Sequence, residues 1–207
     1  MPDARRAAMG RIATLAAAFV FAGASLATDD EPLAGRALVD ALRGGGLVIY
    51  FRHAATDFGE NDIGMTDYAN CTSQRNLTDA GRADARVIGA AITRLGLPIG
   101  DVLASPFCRT METATLIFGR AVATRDVLGG PAAAGPEKYA ALVRLLSATP
   151  ASGVDVAIVG HANPFRSVSD IPLLAEGEAA VLRPHGSVGF HLLARIPKDG
   201  WDALAAP

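Results

Sequence analysis

Apolar residues fall along this chain in short unbroken runs separated by longer amphipathic stretches. Leu47-Val48-Ile49-Tyr50, Val102-Leu103-Ala104 and Val156-Ala157-Ile158-Val159 are such runs. Their length and uniformity predict strands covered on both faces. Downstream of Thr78 the period changes. Ala80, Val87, Ile88, Ala91, Ile92 and Leu95 recur at helical spacing, with Asp84 the polar exception, so this stretch predicts an amphipathic helix. Thr78 is placed to cap it, and Gly96 and Pro98 to end it. Further helices are predicted over 33–42, 109–118 and 136–146, a short strand over 121–127, and a last, edge strand over 188–193. The segment 55–76 is a long polar loop, and loops of that length are functional or disordered. Strands alternating with helices predict an α/β domain, a three-layer α/β/α sandwich around a mostly parallel central sheet.

The first residues depart from this pattern. Arg5, Arg6 and Arg11 precede an apolar run over 12–26, closed by the small residues Ala22-Gly23-Ala24 and Ser25-Leu26-Ala27. This is the layout of a secretory signal peptide, expected over 1–27, with the mature domain over 28–207. The run is short for a membrane span, which needs about 20 residues. The mature protein is therefore expected in the periplasm or secreted, without stable membrane insertion. A net charge of −2 over 207 residues gives no reason to expect a nucleic-acid partner. Export bears on the only two cysteines, Cys71 in the long loop and Cys108 beside Arg109. An oxidising compartment permits a bridge between them; two separate thiols remain the alternative. Two distant cysteines and scattered histidines do not make a metal site, and neither a metal nor another cofactor is expected.

Candidate chemistry sits at the ends of the three apolar runs. Arg52-His53-Ala54 follows the first, Ser105 to Thr110 the second, and Gly160-His161-Ala162-Asn163 the third. In open α/β sheets ligands bind at the carboxyl ends of strands. Two histidines and two arginines delivered there suit a phosphate site with a nucleophile, because guanidinium forks match phosphate oxygens and a neutral imidazole is a competent nucleophile.

These residues resemble the histidine phosphatase superfamily, also called phosphoglycerate mutase-like. Its Arg-His-Gly motif stands here as Arg52-His53-Ala54, its Ser-Pro-x-x-Arg-Thr-x-x-Thr-Ala motif as Ser105-Pro106, Arg109-Thr110 and Thr113-Ala114, and its second-histidine motif as Gly160-His161-Ala162-Asn163, with Arg166 close behind. The resemblance spans roughly 47–193 in the expected order. It implies a phosphatase acting on a small phosphorylated molecule, with His53 as the phosphorylated nucleophile and Arg52, Arg109 and His161 gripping the phosphoryl group. Ser105, Asn163 and Arg166 are further candidates for substrate contact.

Two departures qualify the resemblance. Ala54 replaces the usual glycine, so the turn geometry is expected to be tuned rather than lost. No aspartate follows His161 and no mutase-type glutamate segment is recognisable, so the proton donor is open. Asp57, Glu60 and Asp62 in the loop and Glu178 in Glu176-Gly177-Glu178 are the candidates, and Glu178 is taken as the catalytic one. Without a strong acid, substrates whose leaving groups need little protonation should be favoured. Three functions compete: a phosphatase, a mutase, and a non-catalytic phosphate-binding module derived from such an enzyme.

Overall fold

The computed structural model describes residues 30–129 and 136–206. The leader expected over 1–27 lies outside them, as does most of the connection beginning at Gly129-Gly130-Pro131. Six strands form one sheet: β1 Val48–Arg52, β2 Ile99–Ala104, β3 Val122–Ala123, β4 Asp155–Gly160, β5 Ala179–Pro184 and β6 Phe190–Ile196, in the order β3-β2-β4-β1-β5-β6. β3, β2, β4 and β1 pair in parallel; β5 runs antiparallel to both β1 and β6.

Alternation along the strands sorts the core into two layers. Ile49 and Phe51 of β1 join the buried faces of the helices α1 (Gly35–Gly44), α2 (Asp79–Leu95), α3 (Cys108–Phe118) and α6 (Gly200–Leu204). Val48 and Tyr50 face the other way, onto α4 (Ala140–Ser147) and α5 (Ala162–Val168). This is the expected α/β/α sandwich with a mostly parallel sheet.

Local signals act as read. The Thr78 hydroxyl accepts from the Gly81 N–H at 3.0 Å and Gly96 closes α2 in the left-handed conformation. Elsewhere tertiary contacts reshape the pattern. The strand expected over 121–127 shortens to two residues followed by a 3₁₀ turn, Arg125–Val127. The helix expected over 136–146 begins as a 3₁₀ turn before α4. β5 and α6 carry weak sequence signals: Ala179–Pro184 ends in Arg-Pro, a poor strand signal, and α6 has five residues.

Candidate active site

Strand register brings the motifs together. Arg52 lies opposite Gly160 in the β1–β4 ladder, so His53 and His161 follow side by side. The His53 N–H donates to Gly160 O at 3.0 Å and the Ser105 N–H to Val159 O at 3.0 Å, which stitches the three strand ends into one rim. Thr113 ties the first motif to the second: its hydroxyl accepts from Ala54 N–H at 3.1 Å and donates to Arg109 O at 2.7 Å. Thr110 secures the turn itself, its hydroxyl lying 2.7 Å from the carbonyls of both Ser105 and Phe107.

Tyr50 fixes the third motif. From the middle of β1 its hydroxyl lies 2.9 Å from both the N–H and the C=O of His161, accepting from one and donating to the other. Its ring stacks on Phe165 at 4.4 Å. Gly160 makes room for this clasp, since a Cβ there would come within 2.2 Å of the Tyr50 hydroxyl.

The rim encloses a cleft of about 380 Å³ lined by Arg52, His53, Asp62, Arg75, Phe107, Arg109, Gly129, His161, Ala162, Asn163 and Leu173. Three guanidinium groups thus face one carboxylate, a surplus of positive charge suited to a polyanion. Arg109 donates to Asp62 Oδ1 at 3.0 Å, and its guanidinium lies 4.3 Å over the Phe107 ring. Arg52 donates to Leu174 O at 2.8 Å. Each of Arg52, Arg75 and Arg109 has a buried Nε with no protein acceptor among the described residues. Burial pulls the pKa values of Arg52 and Arg109 below the usual arginine value, yet arginine stays charged in proteins.

Both histidines are buried and held neutral. His53 Nδ1 lies 2.9 Å from Ala54 O; a carbonyl only accepts, so Nδ1 carries the proton and Nε2 keeps its lone pair. Burial pushes the His53 pKa down to about 3; the Ala54 carbonyl opposes this, and Arg109, Arg52 and Arg75 push the same way as burial. Burial first, then Arg109, holds His161 well below its ordinary value. The His161 ring packs edge-on against His53 at 5.6 Å and against Phe107 at 5.1 Å.

The structure redistributes several expected roles. Asn163 lines the cleft as anticipated. Ser105 does not: it is fully buried, and its hydroxyl meets His161 Nε2 at 2.9 Å, so the expected substrate contact gives way to a grip on His161. Arg166 is exposed and borders a separate hollow with Ser169, Asp170 and Leu173, because the first turn of α5 carries it past the rim. Glu178 also lies away from the cleft. Arg195 donates to both its carboxylate oxygens at 2.6 and 2.8 Å, and Ala175 N–H donates to it at 2.7 Å. The reason is the turn at Gly177, just before β5, whose φ of +78° redirects the chain between the two glutamates. Glu176, not Glu178, is therefore the one beside His53, with Oε1 3.9 Å from Nδ1. Of the loop carboxylates, Asp57 and Glu60 accept local hydrogen bonds from Gly59 and Asn76, and only Asp62 reaches the cleft. Ala54 is ordinary: only glycines have positive φ among the described residues, so alanine imposes no strain there.

Arg75, Glu176 and Tyr50 are the residues the motifs did not reveal. Arg75 is delivered by the loop 55–76, which is tied to α3 twice. Cys71 and Cys108 form a disulfide with Cα atoms 5.7 Å apart, and Gln74 Oε1 accepts from Cys108 N–H at 2.9 Å. The question left open by the two cysteines is thus answered by a bridge. Asp62 completes the tie, its Oδ1 accepting from the Arg75 N–H at 2.9 Å as well as from Arg109.

No protein-family model and no curated protein matches the chain. Solved structures do. The protein histidine phosphatase SixA in complex with tungstate is similar at a TM-score of 0.55 and 15% identity, covering 74% of this chain and 97% of its own. Mycobacterial hydrolase 1 matches at 0.53 and 15%, covering 72% and 97%. A mycobacterial glucosyl-3-phosphoglycerate phosphatase in complex with VO3 matches at 0.50 and 14%, covering 72% and 97%. Topology and motifs point the same way: the chain has the fold of the histidine phosphatase superfamily, and residues from all three motifs of that superfamily meet around one cleft.

Proposed function

We propose that this protein is an exported phosphatase that hydrolyses phosphate monoesters or phosphoanhydrides through a covalent phosphohistidine on His53, without a metal. The observation that carries the reading is the His53 tautomer. Nδ1 is committed to Ala54 O, so the lone pair sits on Nε2 of a residue lining an arginine-rich cleft. Phosphoryl transfer asks the protein mainly for positioning and charge neutralisation. Arg52, Arg75 and Arg109 supply charge for the equatorial oxygens, and His161, held by Ser105 and Tyr50, supplies a fixed polar edge. Nε2 attacks phosphorus, the bond to the leaving oxygen breaks, and water then cleaves the P–N bond. Tungstate and VO3 in the similar structures are oxyanions of the kind such a site would hold. The disulfide fits the export read from the leader, since bridges persist in oxidising compartments.

The leaving group's proton is the weak point. Asp62, the carboxylate that lines the cleft, accepts from Arg109 and from Arg75 N–H. Its Oδ1 is thus taken up as an acceptor of two hydrogen bonds rather than placed to donate a proton. Substrates with good leaving groups are therefore favoured: aryl phosphates, phosphoanhydrides or phosphoramidates. The test compares para-nitrophenyl phosphate with glycerol phosphate, with and without EDTA. EDTA-resistant turnover that is much faster on the aryl ester is expected. Equal rates with chemistry limiting both would remove the leaving-group argument, and loss of turnover in EDTA would remove the metal-free one. The same feature favours one rival, a phosphate-binding module; vanadate binding without turnover on any of these substrates would install it.

A further inference from the structure

Glu176 is explained by none of the three motifs, yet it lies against the nucleophile. Its placement is set by the backbone. Arg52 N–H donates to Glu178 O and Gly177 N–H to His53 O, each at 3.0 Å, which lays 176–178 alongside 52–53. Glu176 Oε1 accepts from the Thr56 hydroxyl at 2.7 Å, lies 3.6 Å from Arg52 Nη2 and 3.9 Å from His53 Nδ1. The side chain is mostly buried, 18% exposed. It does not take the Nδ1 proton, which points to Ala54 O. Nor is it set to protonate a leaving group, because it stands at the Nδ1 side of the ring and attack proceeds from Nε2.

We infer that Glu176 is a positioning residue that offsets the positive charge His53 acquires when it is phosphorylated, while steadying the Arg52 fork. The inference rests on the phosphohistidine reading above. When the Nε2 lone pair forms the P–N bond, the P–O bond to the leaving group breaks and its electron pair departs with that oxygen. Nδ1 keeps its hydrogen, so the ring carries a full positive charge. When water attacks phosphorus the P–N bond breaks, its pair returns to Nε2, the ring is neutral again, and the water's proton passes to solvent or to the product phosphate. The ring is thus cationic only in the intermediate and in the transition states either side. Arg52, Arg75 and Arg109 all oppose that charge. Glu176 is the carboxylate that approaches Nδ1, and it does so from the edge away from phosphorus.

This makes a selective prediction for Glu176→Gln, which keeps the size and an acceptor for Thr56 but removes the charge. Forming the intermediate becomes harder, while breaking it does not, because an uncompensated imidazolium is the better leaving group. Rapid-quench kinetics with para-nitrophenyl phosphate, followed by mass spectrometry of the protein, measure both steps. Phosphorylation is expected to slow by about ten- to hundredfold with dephosphorylation unchanged or faster, so that less phosphoenzyme accumulates. Glu176→Asp, charged but shorter, should show a smaller loss of the same kind, and serves alone if the glutamine variant does not fold. Equal slowing of both steps, or unchanged phosphorylation, overturns the role assigned to Glu176 and leaves the phosphohistidine reading standing. A wild-type protein that turns over without any phosphoryl adduct on His53 overturns both.

Discussion

At their carboxyl ends β1 and β4 bury His53 and His161; at their amino ends the same two strands bury Asp155, whose Oδ1 accepts from Leu47 N–H at 2.9 Å. Desolvation dominates at both ends and disfavours the charged form each time. It lowers His53 to about 3 and raises Asp155 to about 7. At one end this suits the proposed chemistry, because an unprotonated imidazole beside three arginines can act as a nucleophile. At the other end it is only a cost, with Asp155 Oδ2 lacking any partner among the described residues. The linked stability effects have opposite signs. For His53 the folded value lies below the ordinary one, so its contribution is present above about pH 6.5 and is lost as pH falls towards 3. For Asp155 the folded value lies above the ordinary one, so its contribution is present below about pH 4 and is lost as pH rises through 7.

Substitutions should separate the two ends. The largest effect on activity is expected for His53→Ala, a loss of at least about a thousandfold in kcat with vanadate affinity largely retained; substantial residual turnover would show that the nucleophile lies elsewhere. Next comes Arg109→Ala, with about a hundredfold loss in kcat/KM. Arg109→Lys should recover little, because it cannot reproduce the fork held against Asp62. Arg75→Ala should cost less, about tenfold, since its backbone already serves Asp62 and Arg109 whatever the side chain. The paired Cys71→Ser and Cys108→Ser variant opens a bridge across a sequence separation of 37 residues, worth up to about 4 kcal/mol by chain entropy. Thermal unfolding should show that loss, and KM should rise more than kcat falls as Arg75 and Asp62 loosen. Asp155→Asn should leave kcat and KM unchanged. Its stability relative to wild type should improve as pH rises from about 4 to about 7, by up to about 4 kcal/mol, and stay level above that. A flat difference across that range would show that Asp155 is not a buried, raised carboxyl.

The contrast between the strand ends and the loops also accounts for what could be read from the sequence. His53, Arg52, Arg109 and His161 follow uniform apolar runs, and parallel pairing places them together whatever the loops do. Asp62, Arg75 and Glu176 arrive on connecting segments whose path is set by a disulfide, by Gln74 and by the left-handed Gly177. None of these leaves a periodic signal. Glu176 and Glu178 show the limit: two residues apart, they would share a face in a regular strand, and one positive φ between them sends one to His53 and the other to Arg195. Tyr50 was hidden differently. It reads as one more apolar residue of β1, and only the fold reveals that its hydroxyl clasps the His161 peptide.

The most direct test of the central claim is to look for the phosphoryl group itself. The full chain is mixed with para-nitrophenyl phosphate, quenched at alkaline pH within milliseconds, and mapped by peptide mass spectrometry. A phosphoryl adduct on His53 that is stable in base, lost in acid and absent from His53→Ala is the predicted result. Turnover with no adduct on His53, or an adduct on another residue, would contradict the account.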